Sequence, residues 1–220
     1  MSVQKALEGR FSCRKFAETP LPRTVINDLL KTVQKTASWC NTQPWSIDVI
    51  SGESLKRLSD SLIQSASRGD VPNPDFDFPE QYSGVFRERR KVCGLQLYDS
   101  VGIQKGEVEK TKEQSLENFN FFSAPHALFI STPKELGLYG ALDCGLYISS
   151  FMLLAQDLGI NTIAQAAVAS YPDVIRQHVQ IDINRYLLCG ISFGYGEESH
   201  PVNKYRTERE SIENVAVFYD

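Results

Sequence analysis

The sequence has few cysteines for its length, and they lie far apart. Its 220 residues contain five, Cys13, Cys40, Cys93, Cys144 and Cys189, an odd number without any C-x-x-C pair. This pattern excludes a disulfide framework and a zinc site built from closely spaced thiolates, and it is typical of reduced thiols. We therefore expect a protein of the cytoplasm and predict no bound metal.

The chain also lacks a long apolar run and a large excess of one charge. The longest apolar stretch, Ala141–Ala155, is interrupted by Asp143 and is shorter than the ~20 residues of a membrane span. Residues 1–10 have no apolar core of the kind found in signal peptides. A net charge of −4 argues against a general nucleic-acid binder, because binding to phosphate backbones requires a positive surface. Composition thus predicts a soluble globular protein without nucleic-acid or membrane partners.

Apolar periodicity predicts several helices and a few short strands. The helical patterns cover 21–37, 55–66, 86–98, 107–122 and 138–158, and the strand patterns cover 45–49, 127–131, 162–168 and 187–193. Residues 138–158 are apolar on nearly every face, which is typical of a core helix whose small residues allow close packing. Since helices outnumber strands and long crossings separate the strands, we predict an α+β fold and a single domain over residues 1–220. A short apolar run at 215–218 could add a strand to a neighbouring subunit.

An irregular segment interrupts this pattern at residues 68–83. It combines three prolines with aspartates and the aromatic residues Phe76, Phe78 and Tyr82. Linkers rarely carry so many large apolar side chains, so the segment is interpreted either as a lid or as an arm that packs on a partner subunit.

Basic residues cluster near both ends of the chain. Arg10, Arg14 and Lys15 surround Ser12 before the first long helix, and a second arginine pair occurs at 206–209. If the fold brings the two ends together, their guanidinium groups could make bidentate contacts with a phosphate. The alternative is that they are solvated surface charges.

Two further segments offer groups that a ligand could contact. Residues 38–45 combine amide and hydroxyl side chains with two tryptophans, which suits either a heterocyclic ligand or a polar turn whose tryptophans fill the core. Residues 162–167 are mostly small, so a ligand could approach their backbone N–H groups.

Five short motifs resemble, in chain order, those of the FMN-dependent nitroreductase family. They are the R-x-S-x-R opening at 10–14, N-x-Q-P-W at 41–45, F-F-x-A-P at 121–125, the strand and turn I-S-F-G-Y at 191–195, and the basic tail at 206–209. The resemblance extends over nearly the whole chain. It implies a central mixed or antiparallel sheet flanked by helices around a buried core helix, in an intertwined homodimer with FMN at the subunit interface.

The resemblance also implies roles for individual residues. Arg10 and Ser12, with Arg206 and Arg209, would hold the FMN phosphate. Arg14 would face the pyrimidine edge of the flavin, where a positive charge raises the potential of the ring.

Other positions are implied on the flavin ring itself. Ser38, Trp39 and Asn41 would come from the partner chain, while Gln165 and Ala166 would lie at the other face and edge of the ring, with a backbone N–H directed to N5. The remaining implied cofactor-binding residues are Phe11, Gln43 and Asn120, the last of which stands where relatives often carry a basic residue.

The activity implied by the resemblance is a ping-pong oxidoreduction. NADH or NADPH would pass hydride to flavin N5, and a flat, electron-poor small molecule such as a nitroaromatic or quinone would then take the electrons. No side chain is needed as a nucleophile, so we assign no catalytic residue. Departures from the family pattern at 37–38, 165–166 and 207–209 affect individual contacts and the substrate range.

Three alternatives remain open from the sequence. One is an enzyme of the same scaffold with other chemistry, either dehalogenation or flavin fragmentation. Another is a non-catalytic flavin-binding redox sensor. The third is a cysteine hydrolase that pairs Cys40 with His126, His178 or His200, although no spacing supports such a dyad.

Overall fold

A computed structural model describes residues 1–219, in which helices surround a short-stranded sheet. The helices are α1 (Val3–Gly9), α2 (Arg23–Val33), α3 (Gly52–Arg68), α4 (Gly84–Ser100), α5 (Val108–Leu116), α6 (Gly137–Asp157) and α7 (Pro172–Arg176). The strands are β1 (Ser46–Ser51), β2 (His126–Pro133), β3 (Asn161–Gln165) and β4 (Arg185–Gly194).

Within residues 1–219, the strands form one four-stranded sheet in the order β1-β2-β4-β3, and every adjacent pair is antiparallel. In register, Leu128 of β2 lies opposite Val49 of β1 and Ile191 of β4. β2 is buried along nearly its whole length, as expected of a strand with helices on both faces. The predicted α+β class and the antiparallel form of the sheet are confirmed.

The helices cover both faces of this sheet. On one face, α2 and α6 contribute Leu29, Tyr147 and Phe151 to the same core cluster as Ile191 of β4. On the other face, α3 and α7 pack around a second cluster that includes Phe129 of β2. The sheet is therefore the middle layer, and its ends and edges remain available for ligand contacts.

Helix α6 has one buried and one exposed face. Tyr147 and Phe151 lie in the core. A side chain at Gly140 would collide with Thr132 of β2, so a small residue allows close packing at this position, as expected. The opposite face exposes Leu142 and other apolar side chains by half or more in the single chain. Residues 134–157 are long and apolar enough for a membrane span, but their buried face belongs to the core.

Some predicted boundaries are wrong for identifiable reasons. The pattern at 107–122 is helical only to Leu116, because the chain then turns through three left-handed residues, Phe121, Phe122 and Ser123, with φ of 51°, 54° and 63°. Within the described single chain, residues 215–218 form no strand, so pairing of this run with a neighbouring subunit stays a prediction. Helix α1 is not among the predicted elements, because seven residues are too few to show an apolar period.

The irregular segment at 68–83 is attached to its own chain over its first half. The Asp75 carboxylate accepts hydrogen bonds from both Nη atoms of Arg176, at 3.2 and 2.5 Å, and from the Leu187 N–H at 2.7 Å. The Phe76 ring lies edge-on to Tyr186 with 4.9 Å between centroids. Residues 77–83 are exposed, so this second half is the part that is free to act as a lid or an arm.

Candidate functional site

The arginine-containing N-terminal segment runs beside β3 and pairs with it at an isolated bridge. The Cys13 N–H donates to the Thr162 carbonyl at 3.0 Å, and Ser12 pairs with Thr162 in a parallel bridge. Side chains alternate in an extended chain, so Cys13 is fully buried while Ser12 and Arg14 remain partly exposed. This alternation explains why R-x-S-x-R places its polar side chains on the same side.

The C-terminal tail joins this segment through Asn203 and Arg206. The Asn203 side chain accepts the Arg14 N–H at 2.8 Å and donates to the Lys15 carbonyl at 2.8 Å. The Arg206 guanidinium lies 4.0 Å from the centroid of the Phe11 ring and donates to the Asn203 carbonyl at 2.7 Å. The two basic ends of the sequence therefore meet in the fold.

Their meeting forms a cavity of about 630 Å³. Its lining includes four arginines and a hydroxyl, Arg10, Arg14, Arg206, Arg209 and Ser12. In residues 1–219 none of these arginines forms a salt bridge, and Glu8 at the rim accepts a hydrogen bond from Gln4 instead. Burial, and secondarily the charge of Arg209, lowers the pKa of Arg10.

Unneutralised guanidinium groups in one cavity favour an anionic ligand. Each arginine presents a planar fork of donors that matches the oxygens of a phosphate, and Ser12 adds a hydroxyl donor. Half-burial of Arg10 and Arg14 strengthens such contacts, since charges interact more strongly away from bulk water. The donor set therefore fits the phosphate end of FMN.

The predicted loop at 38–44 lies outside this cavity and is held by two charged side chains. The Trp39 N–H lies 3.1 Å from each oxygen of the buried Asp143 carboxylate, and an Nη atom of Arg185 donates to the Pro44 carbonyl at 2.7 Å. Between these anchors, Asn41 and Gln43 are exposed and left-handed, with φ of 56° and 47°. Such strain persists only where the surroundings hold it in place.

The loop projects from the exposed face of α6. Trp39 is 60% exposed and lies edge-on to Tyr139 of α6, with 4.7 Å between ring centroids. Ser38 is partly buried, and its Oγ accepts the Gln43 N–H at 3.0 Å. The exposed side chains of the loop, Trp39, Asn41 and Gln43, are free to contact another molecule.

At the end of β3, the Gln165 side chain points into the protein. It donates to the Asn118 carbonyl at 2.8 Å and accepts the Ser192 hydroxyl at 2.5 Å, and the residue is 3% exposed. The side chain is therefore committed to its own chain, which leaves the backbone around exposed Ala166 as the part that a ring could contact.

Asn120 is not part of the arginine cavity. Its side-chain amide donates to a Glu117 carboxylate oxygen at 3.1 Å, and it lines a separate cavity of about 650 Å³ beside His126. A basic neighbour of this region is Lys15, whose Nζ donates to Ser123 Oγ at 3.3 Å.

Three residues that the sequence did not indicate also belong to the cavity region. Cys93 of α4 and Tyr205 of the C-terminal tail line the cavity, and Asn203 is buried beneath it. The Arg14 guanidinium lies 5.6 Å from the Tyr205 ring centroid, and burial raises the pKa of Tyr205. In the sequence, the one indication of Asn203 and Tyr205 is that they directly precede the basic tail at 206–209.

The three histidines are held in hydrogen bonds of their own. His126 Nε2 accepts the Leu21 N–H at 2.8 Å, so its Nδ1–H donates to Ser51 Oγ at 2.6 Å, and burial lowers the pKa of this ring. His178 contacts Ser61 Oγ at 3.0 Å, and His200 accepts the Val202 N–H at 3.3 Å. Across the described residues, none of them hydrogen-bonds Cys40, and no Cys–His dyad forms.

Comparison with known sequences finds a family model and close relatives. The model described as "Nitroreductase family" matches residues 7–195. A 4-nitrobenzoate reductase of Pseudomonas putida is 32% identical over 210 residues, covering 96% of this chain and 92% of the relative. A 4-nitrobenzoate reductase of Nocardioides sp. is 29% identical over 216 residues, covering 96% and 87%.

Solved structures show the same similarity in three dimensions. The FMN-dependent nitroreductase NfnB of Mycobacterium smegmatis, solved in complex with NADPH, superposes with a TM-score of 0.94 at 30% sequence identity. The match covers 99% of this chain and 97% of that chain. The likeness therefore includes both ends of the chain, where the arginine cavity is formed.

Proposed function

Because this chain belongs to the nitroreductase family, we propose that it is an FMN-dependent oxidoreductase that uses NADH or NADPH to reduce flat, electron-poor acceptors such as nitroaromatics or quinones. The observation that carries the proposal is the cavity of four arginines that form no salt bridge within residues 1–219, which offers a phosphate site where the ends of the chain meet. The relatives include enzymes named for the reduction of 4-nitrobenzoate and a structure with NADPH.

The chain's own residues would bind and orient the cofactor. Arg10, Ser12, Arg206 and Arg209 would hold the phosphate, while Arg14 would place a positive charge at the pyrimidine edge of the ring. When bound there, FMN would supply the redox chemistry between the nicotinamide and the acceptor.

The remaining polypeptide would control the orientation of the ring and access to it. The backbone at Gln165–Ala166 would offer an N–H to the ring edge, and the fixed Gln165 side chain would keep that backbone in place. No side chain needs to act as a nucleophile or general base.

We further propose that the working form is a homodimer in which residues 38–44 of one protomer complete the cavity of its partner. Three features support this assembly. The α6 face around Leu142 and Leu146 is apolar and exposed, the loop beside it is anchored by Asp143 and Arg185, and residues 215–219 leave large apolar side chains in solvent. An exposed apolar patch of this kind marks an interaction surface.

The dimer can be tested on the α6 face. Leu142→Asp combined with Leu146→Asp should convert a dimer of two 24.7 kDa chains into monomers that no longer retain FMN, because charges would enter the apolar interface. Light scattering and flavin absorbance measure both effects. Val71→Asp with Val108→Asp, both on exposed side chains elsewhere, is the control and should leave a yellow dimer. A wild-type monomer that binds FMN would contradict the proposal.

We also propose that the chain acts as a single domain in the cytoplasm. All five cysteines are free, and burial raises the thiol pKa of Cys13 and Cys144 to about 11. Such thiols are poor nucleophiles at neutral pH and suit a reducing compartment.

The activity is tested by colour and turnover. The purified protein should be yellow, NADH or NADPH should bleach its flavin absorbance without oxygen, and a nitroaromatic such as 4-nitrobenzoate should restore it. Iodotyrosine as the acceptor separates this activity from dehalogenation, and flavin that NAD(P)H does not reduce would indicate a redox sensor. A colourless protein that takes up no added FMN would overturn the proposal.

A further inference from the structure

Asn203 connects the two halves of the arginine cavity through its side chain. It is 3% exposed, and its amide group makes three hydrogen bonds, all to backbone atoms. Its Oδ1 accepts the Arg14 N–H at 2.8 Å, while its Nδ2 donates to the carbonyls of Lys15 at 2.8 Å and Glu197 at 3.0 Å. One amide thus adds side-chain bonds between the arginine segment and the turn after β4, which are also joined by the backbone bond from the Glu197 N–H to the Lys15 carbonyl at 3.0 Å.

The same residue also places the tail arginines. Its backbone carbonyl accepts a hydrogen bond from Arg206 Nη1 at 2.7 Å, and Arg209 lies three residues further along. The side chain of Asn203 thus fixes the Arg14 backbone, and its backbone carbonyl fixes the Arg206 guanidinium. The separation of the arginine groups across the cavity therefore depends on a residue that does not line it.

No other side chain makes the same connection in the part of the chain described here. Asn161 is the nearest equivalent, since its Oδ1 accepts the Gly196 N–H at 2.8 Å and so fixes the same turn. Asn161 belongs to β3, however, and its side chain makes no hydrogen bond to residues 10–15 among those described. It holds the turn but does not hold the arginines.

We propose that Asn203 is a positioning residue for cofactor binding, which sets the spacing of Arg10 and Ser12, on the segment that it holds at Arg14, against Arg206 and Arg209 so that together they match one phosphate. The inference rests on the proposed function, because the phosphate is that of the same cofactor. Charge-assisted hydrogen bonds depend on geometry, so a shift of the N-terminal segment against the tail weakens the phosphate contacts of both. Apart from Arg14, the proposed ring contacts at 38–44 and 165–166 lie on segments to which the Asn203 side chain does not bond, so binding of the ring is affected less.

The ratio of FMN affinity to riboflavin affinity tests this role, because riboflavin lacks only the phosphate. Asn203→Ala should weaken FMN binding by about 10- to 100-fold while riboflavin binding changes by about threefold or less. Quenching of flavin fluorescence by the dimeric protein measures both affinities. The salt dependence of FMN binding should become shallower in the same variant, since fewer arginines engage the phosphate.

Asn161→Ala is the matched control, because it removes one asparagine bond to the same turn and should leave the FMN-to-riboflavin ratio unchanged. If Asn203→Ala does not fold, Asn203→Ser, which retains a short polar side chain, is measured in its place. Equal loss of both ligands, unchanged FMN affinity, or the same selective loss in Asn161→Ala would each overturn the inference alone. Wild-type protein that binds neither ligand would overturn the proposed function and this inference with it.

Discussion

Arg10→Ala combined with Arg209→Ala is expected to weaken FMN binding by about 10²- to 10⁴-fold, since each charged hydrogen-bond partner contributes about 1.5–3 kcal/mol. The two arginines come from opposite ends of the chain and line the same cavity. Both carry charge that no carboxylate in residues 1–219 neutralises through a salt bridge, so their charge remains available to a bound phosphate. Titration of the apoprotein with FMN, followed by fluorescence, gives the affinity directly.

The stability of the apoprotein provides an independent measurement on the same variant. The charge of Arg209 contributes to the lowered pKa of Arg10, so the two cations repel each other when no anion is bound. Removing them should leave the thermal midpoint of the apoprotein unchanged or raise it, whereas FMN should stabilise the variant much less than the wild type. A variant that loses FMN only because it is unfolded would instead show a lower thermal midpoint for the apoprotein.

The control for this pair changes the same net charge away from the cavity. Arg23→Ala with Arg57→Ala removes two exposed arginines from α2 and α3, and FMN affinity should change by less than about threefold. If the control weakens binding as much as the cavity variant, general electrostatic attraction is responsible. If neither variant weakens binding, the phosphate lies elsewhere.

Much of the fold could be predicted from the sequence, because its elements have local patterns. The helix predicted at 138–158 is observed at Gly137–Asp157, since a continuous apolar pattern of that length has few other solutions. The end of the helix predicted at 107–122 could not be located. It depends on the left-handed turn at Phe121–Ser123, which side chains without glycine do not signal.

The residues of the candidate site could be predicted from the sequence, but their arrangement in space could not. The basic ends were recognisable, yet they meet through long-range contacts, among them the bonds of Asn203 to residues 188 and 189 positions earlier in the chain. Nothing local to Asn203 indicates such a contact. The direction of the Gln165 side chain is equally non-local, because it is fixed by Asn118 and Ser192 on neighbouring elements.

Asp75→Ala is expected to lower the free energy of unfolding by about 3–5 kcal/mol, as when one partner of a buried ion pair is removed. The Asp75 and Arg176 side chains are each 12% exposed, and the Arg176 guanidinium would keep its burial but lose its bidentate acceptor. The Leu187 N–H would lose its acceptor as well. Urea unfolding of the apoprotein measures the change.

Asp173→Ala separates this effect from a general loss of negative charge near Arg176. Asp173 lies 3.6 Å from Arg176 Nη1, but its side chain is 72% exposed, so its removal should cost less than about 1 kcal/mol. A loss as large as that of Asp75→Ala would show that the geometry around Asp75 is not what stabilises the fold.

A paired substitution tests whether the buried charge itself causes the loss. Asp75→Leu with Arg176→Met removes both charges and should be less destabilising than Asp75→Ala, because no uncompensated guanidinium remains. Since Asp75 is the attachment of the irregular segment to α7 and β4, Asp75→Ala should also accelerate proteolysis at residues 69–76, which the intact ion pair protects. Unchanged cleavage there would mean that the segment is held by the Phe76–Tyr186 contact and the Asn73 N–H bond to Ser170, and not by Asp75.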